Sequence, residues 1–286
     1  MRKYLFIPLL LGIAGLAVAS GERRYISPME ESRWELTVDS PVLCQIEHQI
    51  PRFGRAVFLR QSGRALRLTL ESAHEFTRGL KVALRSVTAQ WRPLQTQALL
   101  ANLETLGGAG PLIDVADDAA RRAYFELQQG FQPSLFFVDL QDGFNPVSVV
   151  LSTVGFRDVE AVFGQCMQRL YPLNFDDMRQ ASLYFDFDQE FPLDGEEERA
   201  LEPLLEYLRI DPSVNRVVIS GYTDPKGSRC YNRRLSQRRA RYVYDYLELS
   251  GIDPAMLEVE YFGEAYPSVG QRSDALNRRV TVKLLR

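Results

Sequence analysis

The 286 residues carry 34 lysines and arginines against 37 aspartates and glutamates, a formal net charge of −3. That length admits two domains, and that charge balance gives no support for general nucleic-acid binding. The two histidines, His48 and His74, do not stand in a metal-ligand spacing such as His-Glu-x-x-His, so the chain shows no metal motif and calls for no cofactor.

The chain opens "MRKYLFIPLLLGIAGLAVASGERRY". Arg2 and Lys3 form a positive start, Leu5 to Val18 an apolar run, and Ala17-Val18-Ala19 a small-x-small site, so residues 1–19 are expected to be a secretory signal peptide cleaved after Ala19. An uncleaved anchor is the alternative, but the run is short of the roughly 20 residues a helix needs to cross a bilayer. No cysteine stands at the cleavage site, so no lipid anchor is expected. The expected mature protein is exported, soluble and not membrane-spanning. In that setting three cysteines imply one disulfide and one leftover thiol. Cys44 and Cys166 bracket the first half, and their pairing is favoured over any with Cys230. Three reduced cysteines are the bland alternative.

Residues 20–170 read as a β-rich domain, a barrel or sandwich with a few helices. "RALRLTLES", "LKVALRSVTAQW", "SLFFVDL" and "VSVVLSTVGF" are rich in β-branched and aromatic residues and alternate in places. Thr96 to Leu106 reads as a helix stopped by Gly107-Gly108. Asp117 to Gln129 reads as a second helix with Asp117 as its N-cap, and Arg157 to Leu170 as a third. "HQIPRFGRAVF" fits a turn at Pro51 and Gly54 leading into a strand. Trp34, Phe53 and Phe58 are expected in the core rather than as exposed anchors.

Residues 171–180 read as a linker, and in 181–286 strands alternate with helices. "ASLYFDFD" is a strand, "EEERALEPLLEYLRI" a helix with acids at its positive end, and "NRVVISGYTD" a strand. "YNRRLSQRRARYVYDYLELS" is a long helix ended by Gly251, and "MLEVEYFGE" and "RRVTVKLL" are two more strands. The order β-α-β-α-β-β points to an α+β layer sandwich.

The chemistry gathers at the start of the long helix. At 100° per residue Asn232, Leu235 and Arg239 share a face beside the apolar stripe of Ala240, Val243, Tyr244 and Leu247. Asp224 closes the preceding strand, and the turn from Pro225 to Ser228 brings the helix start back beside it. A carboxylate and a guanidinium on one shallow pocket suit a zwitterionic amino-acid end, the first holding an ammonium and the second gripping a carboxylate. Arg229, Arg233, Arg234, Arg238 and Arg241 read mostly as a solvated face, and Cys230 as a small buried thiol.

"TDPKGSRCYNRRLSQRRARYV", "YFGEAYP" and "NRRV" resemble the OmpA-like peptidoglycan-binding domain. The resemblance implies binding of the diaminopimelate in cell-wall stem peptides. Asp224 would take its ammonium and Arg239 its carboxylate, with Asn232 and Leu235 lining the pocket, Arg278 at its rim and Thr223 offering backbone contacts. "RRYISPMEESRWEL", Cys44, "HQIPRFGRAVF" and Cys166 resemble the MotY family of periplasmic flagellar-motor proteins. That resemblance implies a sodium-type motor component whose N-terminal domain associates with the basal body and stator units while the C-terminal domain holds the wall. A wall anchor of another envelope complex and an OmpA-type outer-membrane barrel are the alternatives. An enzyme is not expected, because glycosidase chemistry needs two carboxylates and Asp224 is matched with an arginine.

Overall fold

A computed structural model describes residues 21–108, 110–140, 145–192, 196–267 and 274–286. The expected signal peptide at 1–19 lies outside the described residues. By their contacts the described residues divide into two units: 21–33 with His48–Ala56 and Thr69–Phe156, and Trp34–Glu47 with Val57–Leu68 and Arg157–Arg286.

The first part of the chain is mostly sheet. Its strands are β1 (Arg23–Tyr25), β2 (Trp34–Asp39), β3 (Leu43–Ile50), β4 (Gly54–Gln61), β5 (Arg67–Ser72), β6 (Lys81–Thr88), β7 (Gln97–Glu104), β8 (Ile113–Val115), β9 (Phe131–Asp139) and β10 (Asn145–Val150). They form two five-stranded sheets, ordered β1-β10-β9-β6-β7 and β2-β3-β4-β5-β8. Each has two edge strands, so neither closes into a barrel. Alternation explains the strands: in β3 Cys44, Ile46, His48 and Ile50 point inward, while Leu43, Gln45, Glu47 and Gln49 are more open. Trp34, Phe53 and Phe58 are core residues, and Gly54 does open a strand after the Pro51 turn.

Two expectations here are corrected. The segment expected to be a helix over Thr96 to Leu106 is strand β7, paired antiparallel with β6 along Lys81–Val87. Its Gln, Ala, Leu and Glu favour a helix locally, but the ladder with β6 overrides propensity. Helix α1 (Asp117–Gln128) exists, yet its N-cap is Ala116. A cap needs extended backbone just outside the helix. Ala116 has it (φ −104°, ψ 165°), whereas Asp117 already sits at φ 52°. Asp117 and Asp118 instead place negative charge in the first turn.

Helix α2 (Phe156–Gln168) carries Cys166, which is bonded to Cys44 of β3, the Cα atoms 5.9 Å apart. Next comes a one-turn helix, α3 (Phe175–Met178), closed by a capping box. Asn174 accepts from the Asp176 and Asp177 N–H groups, and the Asp177 carboxylate accepts the Asn174 N–H.

The last part is a four-stranded sheet, β11-β14-β12-β13, of β11 (Gln180–Tyr184), β12 (Arg216–Tyr222), β13 (Leu257–Gly263) and β14 (Arg279–Leu285). The central β12 runs parallel to β13 and antiparallel to β14. The sequence predicts one helix over residues 196–210. Instead there are two, α4 (Glu196–Arg199) and α5 (Glu202–Ile210), because Pro203 is tolerated only in a first turn. The long helix α6 (Arg229–Leu249) stops where Gly251 takes a positive φ, as its sequence implied, and a short α7 (Asp274–Asn277) precedes β14. Leu183, Leu204, Leu205, Val217, Ile219, Ala240, Val243, Leu247, Val280 and Val282 form the core between helices and sheet.

Candidate functional site

β12 ends at Tyr222, and the chain then turns into α6 through Thr223–Ser228. Three interactions fix that turn. The Thr223 N–H donates to the Gly263 carbonyl at the end of β13 (2.8 Å). The Lys226 N–H donates to Asp224 Oδ1 (3.2 Å). Ser228 caps α6 by accepting the Tyr231 N–H (3.3 Å). Ser236 ties the helix to the same strand end, since its Oγ accepts the Gly263 N–H (3.0 Å). Helix and strand touch backbone to backbone at Gly221, where a Cβ would stand 2.2 Å from the Ser236 carbonyl oxygen.

The result is a cavity of about 290 Å³ lined by Thr223, Asp224, Asn232, Leu235, Arg239 and Arg278. All six residues singled out in the sequence as a ligand set therefore meet there. Phe187, Asp188, Lys226, Gly227 and Tyr231 line it too. Lys226, Gly227 and Tyr231 flank Asp224 within one motif and were findable from it. Phe187 and Asp188 follow β11, and no local pattern links them to the turn.

Arg239 is fully buried, at 0% exposure. Its Nε donates to the Gln189 carbonyl (2.7 Å), Nη1 to that of Tyr222 (3.3 Å) and Nη2 to that of Asp186 (3.1 Å). The guanidinium also lies over the Phe185 ring, 5.0 Å from its centroid. Of five N–H donors these bonds use three, leaving one on each terminal nitrogen of a side chain that lines the cavity. Burial pushes its pKa down to about 10, partly offset by the Asp224 carboxylate, so it is still charged at neutral pH.

Asp224 faces a different arginine. Its Oδ2 pairs with Arg278 Nη1 at 3.1 Å, with side-chain exposures of 5% and 15%. Arg278 is held in turn by donating from Nε to the Phe185 carbonyl (3.0 Å). So Asp224 and Arg239 share the cavity without being ion-paired to each other, and Arg278 is the direct counter-charge. Two buried polar atoms on the wall, Thr223 Oγ1 and Asn232 Nδ2, have no hydrogen-bond partner among the described residues. Buried groups of this kind are costly to leave unpaired, and Asn232 is only 1% exposed.

Cys230, read in the sequence as a buried thiol, is exposed. The reason is helical: nine residues at 100° put it half a turn away from Arg239, the inward residue. Among the described residues no cluster of three or more His, Cys, Asp or Glu side chains is arranged to hold a metal ion, and no helix is long and apolar enough to cross a membrane.

A family model of the MotY N-terminal domain matches residues 25–172, more than half of the chain. The chain belongs to the MotY family. A second model, of the OmpA family, matches residues 184–281, the stretch that builds the cavity. Along most of its length this MotY-family chain is similar to the sodium-type flagellar protein MotY of Vibrio parahaemolyticus, with 27% identity over 92% of this chain and 90% of that one. Its C-terminal part is 40% identical to the peptidoglycan-associated lipoprotein of Pseudomonas putida over 105 residues, which is 36% of this chain and 61% of the other. A solved structure of the peptidoglycan-associated lipoprotein from Burkholderia pseudomallei aligns at 33% identity with a TM-score of 0.34, covering 37% of this chain and 90% of that one.

Proposed function

We propose that this chain is a non-catalytic periplasmic component of a sodium-driven flagellar motor, anchored to peptidoglycan through residues 181–286. In this reading residues 20–170 associate with the basal body and support stator assembly around it, with 171–180 between the two parts. A torque generator must react against something fixed, and the wall supplies it.

The observation that carries the reading is the polar lining of the cavity. It holds a buried carboxylate, a buried guanidinium with two N–H groups to spare, and the unpartnered Asn232 Nδ2 and Thr223 Oγ1. These suit the zwitterionic end of diaminopimelate in a stem peptide. The ammonium lies against Asp224, while the carboxylate accepts from Arg239 and Asn232. Arg278 holds the Asp224 carboxylate in place on the cavity wall. The names of the relatives, one a flagellar MotY protein and one a peptidoglycan-associated lipoprotein, support the two halves of the reading.

Two measurements test it. The wild-type chain should sediment with purified peptidoglycan, and Asp224→Asn should stay in the supernatant with its fold unchanged. Hook–basal bodies isolated from producing cells should carry the chain. Equal sedimentation of the two proteins would overturn the clamp, and its absence from basal bodies would overturn the motor role.

A further inference from the structure

A second cavity, of about 900 Å³, opens in the first contact unit. It is built from two stretches that the wall-binding site does not use, Arg23–Tyr25 and Gln49–Gly54, together with Ala73 and His74. Its floor is apolar: Ile50 and Phe53 are buried, and the Tyr25 ring lies 5.1 Å from that of Phe53. Its rim is basic. Arg23 is neutralised by Asp139, but Arg24 and Arg52 are exposed and have no ion-pair partner among the described residues. Among the described residues no acidic side chain lines the cavity.

Two features make this more than a solvated patch. Arg52 sits in a left-handed conformation (φ 63°), unusual for a residue with a Cβ. It is held there by the turn bond from the Phe53 N–H to the Ile50 carbonyl (3.0 Å) and by His74 Nε2, 2.7 Å from the Arg52 carbonyl oxygen. Backbone strain of this kind persists where the surroundings over-determine it, and functional sites are enriched in it. In addition, β1 is an edge strand. It pairs on one side with β10 and has no strand on the other among the described residues. An open edge beside a groove is the geometry used for strand addition by an extended peptide.

We propose that this groove docks an extended acidic segment of a partner protein, which adds to the free edge of β1. Its carboxylates meet Arg24 and Arg52, and its apolar side chains rest on Tyr25, Ile50 and Phe53. The backbone bonds supply the register, and the two arginines select negative charge. The inference rests on the reading that residues 20–170 dock on the motor, and names where and by what chemistry.

The test uses the full mature chain and a synthetic peptide alternating glutamate with valine, with binding followed by fluorescence anisotropy at two salt concentrations. Expected are saturable binding that weakens with salt, and a loss of about tenfold or more in the double variant Arg24→Ala with Arg52→Gly. Glycine suits the positive φ at position 52, so this variant keeps the turn. A peptide with alternate amides methylated should also fail, since it cannot add to an edge. The groove assignment is overturned if the double variant binds unchanged, if a lysine-for-glutamate peptide binds equally, if anionic phospholipid vesicles bind and the peptide does not, or if neither binds. In each case a chain still found on hook–basal bodies leaves the motor reading standing.

Discussion

Replacing Arg239 by alanine would leave the carbonyls of Asp186, Gln189 and Tyr222 without their buried donor. Each abandoned group costs about 1–3 kcal/mol, so Arg239→Ala should lower unfolding stability by about 3 kcal/mol or more in a urea titration. Arg239 is thus a structural post as well as a proposed ligand contact, and loss of wall binding in that variant could not be credited to the ligand alone. Asp224→Asn is the cleaner probe, since the side chain keeps its shape and an oxygen for the Lys226 N–H. His48 carries a pH-dependent part of the stability. Burial holds its pKa below the usual value, partly offset by its bond to the Arg33 carbonyl oxygen (2.9 Å). The unfolded chain takes up a proton below about pH 6.5 and the folded chain resists it. The His48 contribution is therefore complete above that pH and is lost as pH falls from there toward the lowered folded value. Urea midpoints should drop between neutral pH and pH 5, and His48→Gln should flatten that slope; parallel curves for the two proteins would contradict it.

At the scale of elements the site depends on how closely α6 lies on β12. Gly221→Ala would set a Cβ against the Ser236 carbonyl oxygen and force the helix off the strand. The expected cost is about 1–3 kcal/mol, with weaker ligand binding because Asn232, Leu235 and Arg239 all ride on α6. Denaturation and binding measured on the same variant check both. The inward face of α6 was legible in the sequence because 3.6-residue periodicity, the Pro225 to Ser228 turn and a Gly stop all agree there. Strand β7 was not, since "QALLANLE" is locally helical and only its ladder with β6 decides otherwise. The anchoring of Arg239 was also hidden. Its acceptors are backbone carbonyls some 50 residues away, at Asp186 and Gln189, and carbonyls leave no mark on a sequence. Pairing of Asp224 with Arg278, 54 residues apart, was obscured in the same way: the sequence pointed to both residues but not to their distance. Cys230 could have been read correctly, because the helical wheel that turned Arg239 inward turns Cys230 outward.

For the whole molecule the Cys44–Cys166 bond closes a separation of 122 residues, worth up to about 5 kcal/mol in the chain-entropy account. Reduction, or Cys44→Ser with Cys166→Ser, should shift the denaturant midpoint down by a matching amount, while blocking Cys230 alone should not. A midpoint unmoved by reduction would mean that the bond contributes little. The proposed wall anchor requires the cavity at the start of α6 to be a receptor for a zwitterionic amino-acid end. The most direct test is calorimetric titration of the chain from Ser20 onward with meso-diaminopimelate and with the same compound acetylated on both amines. Expected are saturable binding of the first, a loss of about tenfold or more in Asp224→Asn, and no binding of the acetylated form. Equal binding of the two compounds, or an Asp224→Asn variant as tight as wild type, would contradict it.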